Sequence, residues 1–256
     1  MSELDRYNYH KASKWYESIL NMFKFDQSKD IYARDWMWSQ RKDFDPLPNL
    51  KHIQNLCSNK ILLFIGAGPS LHSNLERFSN IILLKRDNYF IIAADGATRG
   101  LLIFNIFPDL IVTDLDGLNP ELIEKLVDLH ILIVIHAHGD NIDKLKQIQA
   151  ILSSEEKIIV TTQTEPKWPI INPGGFTDGD RALYFMHHIA PIKMPFYLVS
   201  YDFGELIGRY SKPEFTKDMP MTPMKQKKND LAQKLIENLR VNENRQIESY
   251  LFNLND

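Results

Sequence analysis

The segment Pro108-Asp109-Leu110-Ile111-Val112-Thr113-Asp114-Leu115-Asp116-Gly117 carries two acids spaced i, i+2 at the end of a β-branched apolar run. Such a run reads as a buried strand, and in an open α/β sheet ligands bind beyond the carboxyl ends of the strands. Along an extended chain Asp114 and Asp116 point to the same side. Two carboxylates at one mouth repel unless a cation lies between them, and hard divalent cations take oxygen ligands. The expected chemistry is a Mg²⁺ site that holds a phosphorylated substrate. The plain alternative is an Asp-rich turn in which Gly117 supplies a positive φ.

Other strand ends carry similar residues. Ile61-Leu62-Leu63-Phe64-Ile65 runs into Gly66-Ala67-Gly68-Pro69-Ser70, where glycines let a backbone approach an anion and a helix N-terminus offers free N–H donors. Leu71 stands where a dinucleotide fingerprint has its third glycine, and no Gly-Lys-Ser/Thr follows, so the alternative is a tight turn. Asp95 follows another apolar run and is either a ligand or a helix cap. His136, His138 and Asp140 follow a further one; they suit a metal, or a turn in which Asp140 or Asn141 caps a helix near Ile142. Gly174 and Gly175 open a loop in which Thr177 or Asp178 caps a helix and Arg181 is placed to clamp a phosphate. Lys225, Lys227, Lys228 and Lys234 form a basic cluster, either phosphate-facing or a solvated helix face. Trp15, Trp36 and Trp38 read as helix packing, and His187 and His188 as structural.

These motifs need strands to present them. Apolar patterning predicts strands over 61–65, 81–84, 90–93, 110–113, 131–136, 158–162 and 196–200, and helices over 97–104, 120–129, 142–152, 179–190 and 227–239. Their alternation implies an α/β fold with a mainly parallel, doubly wound sheet. Before residue 58 the pattern is helical, with Trp15, Ile19, Met22 and Phe23, then Ile31 and Trp38, at helical spacing, followed by a Pro-containing breaker at 43–48. The expected division is a helical N-terminal segment, 1–57, and a catalytic domain, 58–256. Residues 212–224, rich in Pro and Met, read as a loop or flap.

The chain has 256 residues, 44% hydrophobic and 25% charged, with a formal net charge of −3. That balance argues against nucleic-acid or anionic-membrane partners, which call for a basic surplus. The single cysteine, Cys57, excludes an intrachain disulfide and fits a reducing cytoplasm. The first residues contain no signal-peptide apolar core, and no apolar run is long enough to span a bilayer.

Taken together and in order, GAGPSL, AADGA, PDLIVTDLDG, HAHGDN, GGFTDGDRA and YDFGELIGRYS resemble the archaeal-type 6-hydroxymethyl-7,8-dihydropterin diphosphokinase family. The likeness runs from Ile61 to Leu239, and that family is similar to the thiamin pyrophosphokinases. Their Asp-Gly, Gly-Asp-x-Asp-Ser and Thr-Asp-x-x-Lys elements find counterparts in Asp95-Gly96, Asp114-Leu115-Asp116-Gly117 and Asp140 with Lys144. Gly117 stands where the thiamin enzymes carry Ser, and HAHGDN and GGFTDGDR replace their loops; both departures favour the pterin branch.

The resemblance implies transfer of diphosphate from ATP to a hydroxymethyl-pterin, with release of AMP, in pterin biosynthesis of the tetrahydromethanopterin or folate type. Such transfer needs positioning and charge neutralisation more than covalent help. It implies Mg²⁺ on Asp114 and Asp116 with Asp95 or Asp140 nearby, and phosphates cradled by Gly66, Gly68 and Ser70. Gly174 and Gly175 contribute to the nucleotide site, Arg181 with Lys144 or Lys225 supplies positive charge, and Asp140 or His138 meets the acceptor hydroxyl. The partners are then ATP and a small pterin, with a homodimer left open.

Two other classes compete. A metal-dependent hydrolase would use His136, His138 and Asp140, but no further histidine follows a later strand to complete its ligands. A non-catalytic nucleotide- or sugar-nucleotide-binding module would bind without turnover. The compact length favours a stand-alone enzyme.

Overall fold

A computed structural model of the chain describes residues 9–250, with side chains from residue 12 onward. Residues 1–8 and 251–256, the outer ends of the two expected segments, lie outside the described residues. Three helices come first: α1 (Tyr9–Phe23), α2 (Gln27–Arg41) and α3 (Leu47–Cys57). The chain then alternates through β1 (Ile61–Ile65), α4 (Leu71–Leu84), β2 (Tyr89–Ala94), α5 (Ala97–Ile103), β3 (Leu110–Thr113), α6 (Pro120–Asp128) and β4 (Leu132–Ala137). It continues through α7 (Ile142–Gln147), α8 (Gln149–Ser154), β5 (Ile158–Thr162), α9 (Asp178–Ile189) and β6 (Phe196–Val199). Last come β7 (Leu206–Ile207), β8 (Met219–Pro220), α10 (Pro223–Val241) and β9 (Ile247–Ser249).

Seven strands form one sheet of order β5-β4-β3-β2-β1-β6-β9, and every pairing in it is parallel. Strands buried on both faces read as unbroken apolar runs, which is why they are legible in the sequence. Within β1, Leu63 and Ile65 face a core shared with α2, α4, α5 and α6, while Leu62 and Phe64 face a second core shared with α3, α9 and α10. The fold is thus α/β and doubly wound, with helices on both faces. Among the described residues, no helix is long and apolar enough to cross a membrane.

Four local expectations are corrected. Residues 81–84 end helix α4 and form no strand: Leu71, Leu75, Phe78 and Ile82 supply its buried stripe, and Leu84 is 86% exposed. The helix expected over 142–152 is two short ones, α7 and α8, broken at Ile148. Met22 and Ile31 face solvent; α1 buries Tyr16, Ile19 and Phe23 instead, and the buried face of α2 carries Asp30, Ala33, Met37 and Arg41. Residues 212–224 contain β8, which pairs antiparallel with β7 before α10 begins.

The final strand, too short to be read from periodicity, is secured by Arg245, which is 1% exposed. Its guanidinium donates to the carbonyls of His187, Ala190, Pro191, Ile192 and Met194 and to His187 Nδ1, and it lies 4.3 Å from the Phe196 ring centroid. One side chain thus closes the end of α9 and the turn into β6.

Candidate active site

The carboxyl ends of β2 and β3 and the first turn of α9 converge. Asp95, Asp114 and Asp178 each offer a carboxylate oxygen, and these oxygens all lie within 4.8 Å of one another. Among the described residues this is the one grouping of histidine, cysteine or acidic ligand atoms so close. Asp95 follows β2 with φ +45° and accepts from the Thr113 hydroxyl at 2.6 Å. Asp114 follows β3. Asp178 arrives from the far end of the chain, because α9 runs across the sheet under β1, β2 and β3 with its N-terminus at their carboxyl ends.

Electrostatics set the three acids apart. Burial, then the Asp114 charge, raises the Asp95 pKa to about 7. Burial, then Asp114 and Asp95, pushes the Asp178 carboxyl well above the usual carboxylate range. Burial also opposes ionisation of Asp114, but His138 and Arg181 outweigh it and hold Asp114 low, at about 2. One ionised acid flanked by two that resist ionisation is a charge balance that a bound cation would relieve. Three hard oxygen donors suit Mg²⁺ better than a soft metal.

Asp116 and Asp140 stand outside this grouping. The extended geometry expected for Asp114 and Asp116 fails at Leu115, whose φ is +69°. Asp114 Oδ1 accepts the Asp116 N–H at 3.0 Å, so the chain turns and swings the Asp116 carboxylate outward. There it meets Lys144 Nζ at 2.5 Å and Lys212 Nζ at 3.5 Å. Lys144 therefore sits beside Asp116, at the rim of a cavity of about 290 Å³ walled by Leu115, Leu118, Ile123 and Ile148. Asp140 is exposed on the 3-10 turn Gly139–Asn141.

His136 and His138 do not form a metal centre with Asp140. His136 is buried and its Nδ1 lies 3.0 Å from the Thr161 hydroxyl; burial, then the Arg181 charge, holds its pKa well below the usual imidazole value. His138 Nδ1 accepts the Asp140 N–H at 3.3 Å, so in the neutral ring the proton sits on Nε2, which faces Asp114 Oδ2 at 3.6 Å.

Arg181, read from sequence as a phosphate clamp, is 4% exposed. Its Nη2 donates to Gln163 Oε1 at 3.1 Å and its Nη1 lies 3.8 Å from Asp178 Oδ1. Arg181 Nε, Asp178 Oδ1 and His136 Nε2 are buried without a hydrogen-bond partner among the described residues. Gly174 and Gly175 have φ of +90° and +86°, and Gly175 packs against the Arg181 backbone. Lys225 opens α10 and its charge reaches Asp178. Lys228, over the Phe25 and Phe176 rings, also feels Asp114.

Gly66, Gly68 and Ser70 lie at the end of β1, beside the switch point of the strand order. The anion at this helix N-terminus is the protein's own: Asp202 accepts from Ser70 N–H at 2.7 Å and from the Ser70 hydroxyl at 2.9 Å. A phosphate entering there must displace Asp202. Asp202 stands in the sequence only as part of YDFGELIGRYS with no role of its own, Gln163 carries no motif signal, and Asp178 reads there only as a cap.

Gly117 explains one of the residue types. A Cβ at this position would stand 2.4 Å from Asp95 Oδ2 and 2.6 Å from Gly96 N. We expect Gly117→Ala to displace Asp95 and lower turnover about 100-fold, the scale of a 1 Å misplacement at a reacting centre. Steady-state assay of the reaction proposed below checks this, and unchanged turnover would show that the position of Asp95 is immaterial.

Comparison with known proteins matches residues 39–205 to the family model described as 6-hydroxymethylpterin diphosphokinase MptE-like. The chain belongs to that family. A relative from Methanothermobacter thermautotrophicus, named 6-hydroxymethyl-7,8-dihydropterin pyrophosphokinase, is 36% identical over 93% of this chain and 97% of its own. Proteins of the same name from Pyrococcus furiosus and Methanocaldococcus jannaschii are 34% identical over 91% of this chain and 95% of their own, and 32% identical over 88% and 93%. The MptE-like match spans β1 to β6 and so contains all three clustered acids.

Proposed function

We propose that this protein transfers the diphosphate of ATP to the hydroxymethyl group of 6-hydroxymethyl-7,8-dihydropterin and releases AMP, a step of pterin biosynthesis. The observation that carries the reading is the grouping of Asp95, Asp114 and Asp178, in a chain whose relatives bear that enzyme's name. The acceptor oxygen forms a bond to the β-phosphorus, the bond from that phosphorus to the α,β-bridging oxygen breaks, and AMP leaves with the bridging oxygen.

Asp95, Asp114 and Asp178 would hold Mg²⁺, which would supply neutralisation of the phosphate charge. Arg181, with an unpartnered Nε, faces the same space and clamps the transferring group. Lys225 and Lys228 add positive charge from α10. His138, with its proton toward Asp114, orients that carboxylate rather than acting as a base. A loose phosphoryl-transfer transition state needs little help with the hydroxyl proton, which passes to Asp140 or to solvent.

The acceptor ring suits a cavity of about 160 Å³ beneath α1. Trp15 and Tyr16 offer faces for stacking there, and Asn172, Asn238 and Glu243 line it with polar groups for the ring edge.

Mass spectrometry of the products tests the reading. With Mg²⁺ and ATP, 6-hydroxymethyl-7,8-dihydropterin is expected to yield its diphosphate and AMP, with no ADP, and omission of Mg²⁺ is expected to stop turnover. Thiamin diphosphate formed from thiamin would change the acceptor and keep the mechanism. No AMP with either acceptor would refute the reading.

A further inference from the structure

Helix α2 reaches the site through a buried carboxylate. Asp30 is 4% exposed. It accepts from Tyr16 Oη at 2.7 Å, from Gly139 N–H at 2.7 Å and from Gln163 Nε2 at 2.8 Å. The other end of the Gln163 amide accepts from Arg181 Nη2 at 3.1 Å. Guanidinium only donates and carboxylate only accepts, so this amide has one orientation. Among the described residues, Gln163 Oε1 is the single acceptor that Arg181's guanidinium hydrogen-bonds; Asp178, at 3.8 Å, is beyond that range. Gly139, the second residue Asp30 holds, separates His138 from Asp140. It lies so close to α2 that a Cβ there would stand 2.3 Å from Lys29 Cβ.

We propose that Asp30 is a positioning residue for diphosphate transfer: through Gln163 it sets the plane of the Arg181 guanidinium, and through Gly139 it sets the His138–Asp140 turn. The inference rests on the reading of Arg181 as the clamp on the transferring group. Asp30 precedes residues 39–205, the span that matches the family model, so the helical N-terminal segment completes the site. A buried carboxylate is a poor means of merely docking a helix, because apolar side chains of similar volume do that at least as well. Its three acceptor contacts instead set direction at two places in the site.

An exchange that keeps the shape of the side chain tests this. In Asp30→Asn, one carboxylate oxygen becomes an amide donor. Either Gly139 N–H or the Gln163 amide then faces a donor, and kcat is expected to fall about 10- to 100-fold, the scale of losing an outer-shell partner. KM for ATP is expected to change much less. In Gln163→Glu, two carboxylates face each other and kcat falls as well. In the double variant, the new amide at position 30 donates its N–H to the new carboxylate at position 163. That carboxylate accepts from Arg181, and the amide oxygen at position 30 accepts from Gly139. Recovery of most of the wild-type kcat is expected.

Gln163→Ala severs the relay while leaving Asp30 with Tyr16 and Gly139, and it covers the case in which Asp30→Asn folds poorly; it too is expected to lose kcat. Kinetics are normalised to folded protein by thermal unfolding. Single variants with wild-type kcat per folded molecule, or a double variant as impaired as the worse single, would overturn the positioning role. Failure of the wild type itself to form AMP would overturn the functional reading, and the role of Asp30 with it, before any variant is compared.

Discussion

Asp178→Asn is expected to lose diphosphate transfer by at least about 100-fold while making the metal-free protein harder to melt. Loss of an outer-shell partner alone lowers metal affinity or activity by about 10- to 100-fold, and Asp178 is proposed to hold the ion directly. The gain in stability has the same origin. Asp178 shares a space under 5 Å across with Asp95 and Asp114, and both its burial and their charges oppose its ionisation. Asparagine keeps the shape and removes the charge. We expect about 1 kcal/mol of stabilisation, a rise in Tm of roughly 2–4 °C for a chain of this size.

Metal-free wild type is also expected to lose stability as pH rises from about 4 through about 7, a loss from two acids that the opposing gain from the single buried His136 offsets only in part. Asp95 and Asp178 bind protons more tightly folded than unfolded, and the advantage disappears as Asp95 titrates near 7. Calorimetry with and without Mg²⁺, paired with AMP release, checks both halves. An active Asp178→Asn enzyme would remove Asp178 from the metal site. A variant less stable than wild type without metal would show that the three acids do not strain the fold.

Arg245→Ala is expected to destabilise the fold by on the order of 4 kcal/mol, seen as a lower midpoint in denaturant and a Tm lower by roughly 8–16 °C. Arg245 contributes nothing to the acid site. It donates to five backbone carbonyls around the end of α9 and the turn into β6, and it stacks on Phe196. Truncation leaves those acceptors facing a cavity that was full. Arg245→Lys is expected to recover only part of the loss, because an ammonium lacks the planar fork that reaches this many acceptors at once. A loss under about 1 kcal/mol in Arg245→Ala would mean that water satisfies the carbonyls equally well.

The sheet was legible because its strands are buried on both faces. Ile61–Ile65 is an unbroken apolar run, Leu110–Thr113 and Ile158–Thr162 are apolar runs closed by β-branched Thr, and each is a strand with those bounds. Strand-end acids follow from the same logic, so Asp95 and Asp114 were visible as candidates. Residues 81–84 show where it stops: four apolar residues suit either a strand or the last turn of a helix, and only the packing of Leu75, Phe78 and Ile82 decides.

The site itself depends on contacts between residues far apart in the chain. Asp178 joins Asp95 and Asp114 because α9 crosses the sheet, a path that no local spacing encodes. Asp116 leaves them because Leu115 adopts a left-handed backbone conformation, which turned a two-residue spacing into opposite directions. Asp202 takes the donors of Ser70, and Asp30 reaches Gln163 across 133 positions. By itself the sequence determined the long buried strands of the sheet, their alternation with helices and two of the three clustered acids, since periodicity and strand ends are local properties. Tertiary structure decided which charges meet, because meeting depends on where helices cross the sheet and on which way a single turn points a side chain.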